Sequence, residues 1–210
     1  MDFKKFTSLI SKLSQTTAGG TTAQLKLAPT IRKLISPNFI KNSQPRRAAV
    51  LALFYPNAQN ETQFLLTKRA SYKGVHSAQI SFPGGKFDPS DSSLQQAALR
   101  ETYEEIGVPQ NQIQVFKEMT NVFIPPSNFL VTPFLGCSNQ ALQFTKNHEV
   151  EELIQVDLKD LLDETSITST ILSTSYAHKL EVPCFELNSY IVWGATAMML
   201  NEIRELFKKL

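Results

Sequence analysis

The sequence predicts an α+β fold, and three observations carry that prediction. Apolar runs of strand length outnumber the helical stretches, they do not alternate regularly with helices as a doubly wound sheet requires, and amphipathic helical patterns stand near both ends and once in the middle. A chain of 210 residues with 42% hydrophobic content can bury a sizeable core as one domain.

The elements follow in order. "MDFKKFTSLISKL" places Phe3, Phe6, Ile10 and Leu13 on one stripe of a first helix. "TTAGGTTAQ" reads as a loop, and the weakly patterned stretch to Gln44-Pro45 as a short helix and a linker. "AAVLALFYP" and "TQFLLTKR" are strands joined through "NAQNE", and "AQISF" is a short strand before Phe82-Pro83-Gly84-Gly85. That glycine pair suits a strand ending in a tight loop that brings bare backbone close to a ligand. Asp91, Ser92 and Ser93 are good N-cap residues, and either Ser92 with Gln95 or Ser93 with Gln96 has capping-box spacing. The central helix therefore runs from near Ser92 to near Gly107, a good C-terminal stop. "QIQVFKEM", "FLVTPFLG" and "ELIQVDL" add strands, followed by a short helix at "LKDLLDE". "SITSTILSTSYAH" reads as strand and loop, "VPCFEL" and "YIVWG" close the sheet, and "ATAMMLNEIRELFKKL" is the last amphipathic helix. Residues 1–45 thus form an N-terminal helical extension and linker, and residues 46–210 the main domain.

Charge is distributed less evenly than the net +2 suggests. Residues 1–50 hold nine basic side chains against Asp2 alone, or +8, and the other 160 residues hold twelve basic and eighteen acidic, or −6. An electropositive segment in front of an acidic body can collect a polyanionic small molecule, or it can simply keep a helix soluble. No aromatic interleaving or RNA-binding signature accompanies the basic residues, so no nucleic-acid partner is expected. No apolar run approaches the ~20 residues that cross a bilayer, and the opening residues lack a signal-peptide h-region. Cys137 and Cys184 lack metal-site spacing and read as reduced, structural thiols, which fits a cytoplasmic location.

The chemistry is concentrated in the central helix. At about 100° per residue, Glu101, Glu104 and Glu105 fall within an arc of roughly 100°, while Ala98, Leu99, Thr102 and Ile106 lie on another side suited to a core. Like charges three and four residues apart cost a helix roughly 0.2–0.5 kcal/mol per pair, and these sit toward the C-terminus, where the macrodipole favours cations. Something positive should therefore complete this face. One reading is a solvated acidic face partly neutralised by Arg100; the other is a set of oxygen ligands for a hard divalent cation, Mg²⁺ or Mn²⁺, beside an open glycine loop. The second implies phosphate chemistry.

"Arg100-Glu101-Thr102-Tyr103-Glu104-Glu105-Ile106-Gly107-Val108" matches the REUxEExGU half of the Nudix hydrolase signature, and the chain resembles that family. The glycine half departs from it: the usual count falls on Lys86 and Ser92, and one inserted loop residue would make Gly85 the glycine and put Asp91 in the acidic place. This longer loop, "FPGGK", and the stretch "LLTKRASYKGVHSAQISFPGG" resemble the coenzyme A pyrophosphatase branch of the family, with Gly74 and Ala78 where that branch shows Arg and Gly. "PPSNFLVTPFLG" and "YIVWGATAMML" are similar to the same branch.

The resemblance implies a Nudix α/β/α sandwich around a mixed β-sheet. It implies a metal-dependent enzyme cleaving coenzyme A or acyl-coenzyme A to 3′,5′-ADP and (acyl-)4′-phosphopantetheine, with another nucleoside diphosphate derivative or a silent binding module as alternatives. It assigns Glu101, Glu104, Glu105 and the carbonyl of Gly85 to the metal ions, and leaves Glu101 open as the group that handles the proton of the attacking water. Arg100 reads as orienting a glutamate by an ion pair, from its place on the arc beside Glu104. Arg69 and Lys73 read as phosphate-holding cations, with Gly84 and Gly85 at the substrate. In "NHEVEEL" the branch's usual "EV" selects Glu149 as a further ligand or general base. Dimers are common among such relatives, so a homodimer is left open.

Overall fold

The computed structural model describes residues 1–70, 79–174 and 177–210. Lys73, Gly74 and Ala78, singled out above, lie outside the described residues.

The main sheet has eight strands: β1 (Arg46–Pro56), β2 (Thr62–Arg69), β3 (Ile80–Ser81), β4 (Gly84–Lys86), β5 (Gln114–Glu118), β6 (Val122–Ile124), β7 (Phe129–Cys137) and β8 (Val150–Asp157). It is mixed, because β1 and β7 run parallel from Arg46↔Phe129 to Phe54↔Cys137 while the other pairs are antiparallel. β1 and β2 pair only at Phe54–Pro56 with Thr62–Phe64, and then part. The segment carrying β3 and β4 enters the gap, β4 lying along Ala48–Val50 of β1 and β3 along Thr67–Lys68 of β2. This split in the sheet sets the glycine loop between β1 and β2.

Alternation along β1 sends its side chains to two cores. Ala49, Leu51 and Leu53 meet Ala97, Ala98 and Ile106 of the central helix α4 (Leu94–Ile106). Ala52 and Phe54 face the opposite layer, made by α1 (Phe3–Gln15), α2 (Gly20–Lys26), α5 (Leu158–Leu162) and α6 (Gly194–Phe207); α3 (Pro37–Asn42) leads into β1. Helix, sheet and helices therefore stack as an α/β/α sandwich.

The first helix is part of that second core. Phe6 is fully buried, its ring 5.2 Å from that of Phe54 and 6.1 Å from that of Phe207. Also on α6, Glu202 is buried and accepts hydrogen bonds from Gly20 N, Gln24 Nε2 and the Thr120 hydroxyl, which fastens α2 to the turn between β5 and β6.

Two readings need correction, the loop at residues 16–24 and the closing of the sheet, and one strand was not foreseen. The "TTAGGTTAQ" stretch is a loop only to Gly19, since α2 begins at Gly20 and packs on α6. The Ser/Thr-rich segment holds the expected strand, β9 (Ile167–Thr174). With β10 (Ala177–Leu187) and β11 (Tyr190–Trp193) it forms a separate three-stranded sheet, so these strands do not close the main one. Val122–Ile124, too short to show a period, is a strand paired with the start of β7.

Candidate active site

Helix α4 is built by local signals. Ser93 in extended conformation accepts a hydrogen bond from Gln96 N, while the Gln96 side chain bonds Gln110 instead of closing a capping box. Gly107 ends the helix in the left-handed region at φ 74°. The last carbonyls are then satisfied from far along the chain: Thr145 N donates to Ile106 O and Asn147 N to Glu105 O. Those two bonds bring the 145–149 loop, and Glu149 with it, to the carboxylate end of α4.

Glu105 is the buried member of the face, with 3% of its surface exposed. It accepts from Gly84 N at 3.1 Å and pairs with Arg69 Nη1 at 3.3 Å. Burial pushes its carboxyl up to about 7, against the lowering pull of Gly84 and Arg69, and Glu101 and Glu149 push the same way as burial. Glu101 is half-buried and is raised first by burial, with Arg100 opposing. Glu104 is exposed and, among the described residues, reaches only Arg100, at 3.1 Å.

Arg100 holds the face together. It grips Asp91 through Nε and Nη2, both at 2.9 Å, and reaches Glu101 at 3.0 Å, Glu104 at 3.1 Å and the carbonyl of Lys86 at 3.1 Å. Asp91, buried in the loop before the helix, is thereby lowered, and its role is to hold Arg100. Arg69 bridges Glu105 and Glu149 at 3.3 and 3.2 Å, which sequence reasoning did not foresee; only the pairing of β2 with β8 brings these residues together.

The two glycines differ in use. A side chain on Gly85 would put its Cβ 2.4 Å from the Glu101 carboxyl carbon, so the backbone there is pressed against that carboxylate. Gly84 has φ +148°, and a Cβ would stand 2.3 Å from Ala49 O. Phe87 N bonds Arg47 O and Leu51 N bonds Pro83 O. In an antiparallel ladder bonded pairs recur every second residue, so Gly85 turns its N–H and C=O toward Ala49, and the carbonyls of Gly84 and Lys86 turn toward α4.

The donor set fits a hard divalent cation. Glu101, Glu104, Glu105, Glu149 and Asp91 share two guanidiniums, Arg69 and Arg100, so the ion-pair cluster keeps an excess of negative charge. Every donor is oxygen, the preference of Mg²⁺ and Mn²⁺. Among the described residues no three acidic, histidine or cysteine side chains converge on one point; Arg69 and Arg100 stand between the carboxylates as their partners. Lys73 aside, every candidate site residue named from the sequence is thus at or beside one cluster formed by α4, β4, the end of β2 and the 145–149 loop.

An α/β/α sandwich with a carboxylate-rich helix over a glycine loop defines a hydrolase of phosphate anhydrides. Comparison with known proteins gives the same class. The NUDIX domain profile matches residues 45–172. An uncharacterized Nudix hydrolase NudL of Photorhabdus laumondii is 29% identical over 183 residues, covering 87% of this chain and 92% of that protein. A second NudL, of Yersinia pestis, is 32% identical over 162 residues, covering 76% of this chain and 79% of that protein. The chain belongs to the Nudix family and is a pyrophosphohydrolase. Among solved structures, the Nudix hydrolase RenU of M. smegmatis shares the fold, with TM-score 0.56, 21% identity and coverage of 79% of this chain and 88% of that one. A MutT/nudix family protein of Enterococcus faecalis does likewise, with TM-score 0.53, 14% identity and coverage of 92% and 76%.

Proposed function

We propose that the chain is a divalent-metal-dependent diphosphate hydrolase acting on coenzyme A and its acyl derivatives, with 3′,5′-ADP and (acyl-)4′-phosphopantetheine as products. The observation that carries this reading is the double ion pair of Arg69. The closing residue of "LLTKR" joins Glu105 of α4 to Glu149, so the segment that resembles the coenzyme A branch is built into the carboxylate face itself.

Glu104, Glu105 and the carbonyl of Gly84, in place of the Gly85 carbonyl expected from the sequence, which turns to Ala49, would hold Mg²⁺ or Mn²⁺; the ion would neutralise diphosphate oxygens and lower the pKa of bound water. Of the three helix carboxylates, Glu101 is the one we assign to take the proton of the attacking water in place of a metal ligand's role: burial raises its carboxyl, and it stays partly open to solvent. Glu149 stands exposed on the far side of Arg69 as the second group able to accept that proton. Attack on one phosphorus breaks the P–O–P bond, and the departing phosphate monoester carries away the electron pair. Arg69 and Arg100 keep the carboxylates fixed through this change, so little reorganisation is needed as charge moves. The two buried free thiols, Cys137 and Cys184, suit a reducing cytoplasm.

The test is chromatographic product analysis after incubation with coenzyme A, ADP-ribose and NADH, each with Mg²⁺, Mn²⁺ or EDTA. Metal-dependent 3′,5′-ADP from coenzyme A ahead of the other cleavages is the expected result. Cleavage of another substrate alone would keep the family chemistry and discard the coenzyme A assignment.

A further inference from the structure

We infer that Arg47 is a specificity-determining residue that binds an anionic group of the substrate outside the scissile diphosphate, which in coenzyme A is the 3′-phosphate of the nucleoside. The inference rests on the coenzyme A reading above.

Strand register gives the location. Ala49 pairs with Gly85, whose missing side chain leaves room for the Glu101 carboxylate on the α4 face of the sheet. Arg47 lies two residues earlier on β1, so its side chain emerges on that same face about 7 Å away. Phe87 N bonds Arg47 O at 3.0 Å, which fixes this row against the glycine loop. The guanidinium carbon then stands 5.5 Å from the centroid of the Phe87 ring. A phenyl face holds a guanidinium in place without neutralising it.

Its charge is unspent. Arg69 and Arg100 are each paired to two or more carboxylates, whereas Arg47 has no ion-pair partner among the described residues and is exposed. Coenzyme A brings three phosphates to a cluster dominated by carboxylates. The scissile pair is served by the metal-binding face, and the third phosphate needs a cation beyond it. A guanidinium is suited to a phosphomonoester because its planar donors bind two oxygens at once. Phe39 and Phe123, with centroids 6.4 Å apart, add an aromatic edge beside this row, since Phe123 pairs with Leu130 and Leu130 with Arg47; Phe39 is 56% exposed.

The neighbouring arginine supplies the control. Arg46 points to the other face of β1, where its guanidinium lies 4.2 Å from the centroid of Phe129 and donates to Ser127 O. Kinetics of wild type, Arg47→Gln, Arg47→Lys and Arg46→Gln on coenzyme A and 3′-dephospho-coenzyme A separate the outcomes. Arg47→Gln should lower kcat/KM for coenzyme A about tenfold or more through KM, leave dephospho-coenzyme A within about twofold, and be partly rescued by Arg47→Lys. Arg46→Gln removes the same charge and should leave the ratio between the two substrates unchanged. Equal effects of Arg47→Gln on both substrates, or an equal shift in the ratio from Arg46→Gln, would overturn the inference. A wild type that cleaves neither substrate would overturn the reading beneath it, and the inference with it.

Discussion

Glu105 carries a charge that its surroundings disfavour. Its carboxyl moves from an ordinary 4.5 to about 7, chiefly through burial. Between those values the folded chain binds more protons here than the unfolded chain, so stability falls as pH rises through the window. Protein treated with EDTA should therefore melt at a lower temperature at pH 8 than at pH 5, and Glu105→Gln should flatten that slope. The same substitution should reduce kcat on the order of 10²–10³-fold, because the site loses a preorganised charge. A variant with full activity would move the metal face elsewhere. Gly85→Ala tests the backbone in another way: the added methyl overlaps the Glu101 carboxylate, so Glu101 must swing out. Activity should drop sharply while the melting temperature changes little, as read by parallel assays and thermal melts.

At the scale of elements, α4 was legible because its signals are local. Ser93, the apolar positions and Gly107 lie within the helix or at its ends, and the observed span begins within two residues of the expected start. The grouping of Glu101, Glu104 and Glu105 on one face followed from helical period alone. What joins that face to Arg69 and Glu149 was not legible, since it depends on the parting of β1 from β2 and on carbonyls of Glu105 and Ile106 bonding residues about forty positions later. Strands β9–β11 were recognisable as strands from β-branched content, but no residue in them says which sheet they join. Asp91 shows how loop and helix are coupled: its buried carboxylate receives two bonds from Arg100. Asp91→Ala should cost about 1–3 kcal/mol in urea denaturation, and should also lower activity by releasing Arg100 from its place between Glu101 and Glu104. A loss of activity with unchanged stability would contradict this coupling.

Over the whole molecule, the two ends of the chain share one core. Phe6 meets Phe54 and Phe207, so truncating it empties a site lined by α1, β1 and α6. Phe6→Ala should cost about 3–5 kcal/mol, seen as one urea transition shifted to lower concentration. Two separate transitions would show instead that the first helix is an independent appendage. The ring contact between Phe6 and Phe207 also has a temporal side. On the ribosome, at about 5–20 residues per second, roughly 10–40 s separate the synthesis of these two partners. For that interval the apolar stripe of the first helix and the inner face of β1 have no final cover, while the carboxylate helix can already have formed from its local signals. The nascent chain therefore carries that apolar surface uncovered until the last helix is made, although every residue of the carboxylate cluster, up to Glu149, has by then been synthesised.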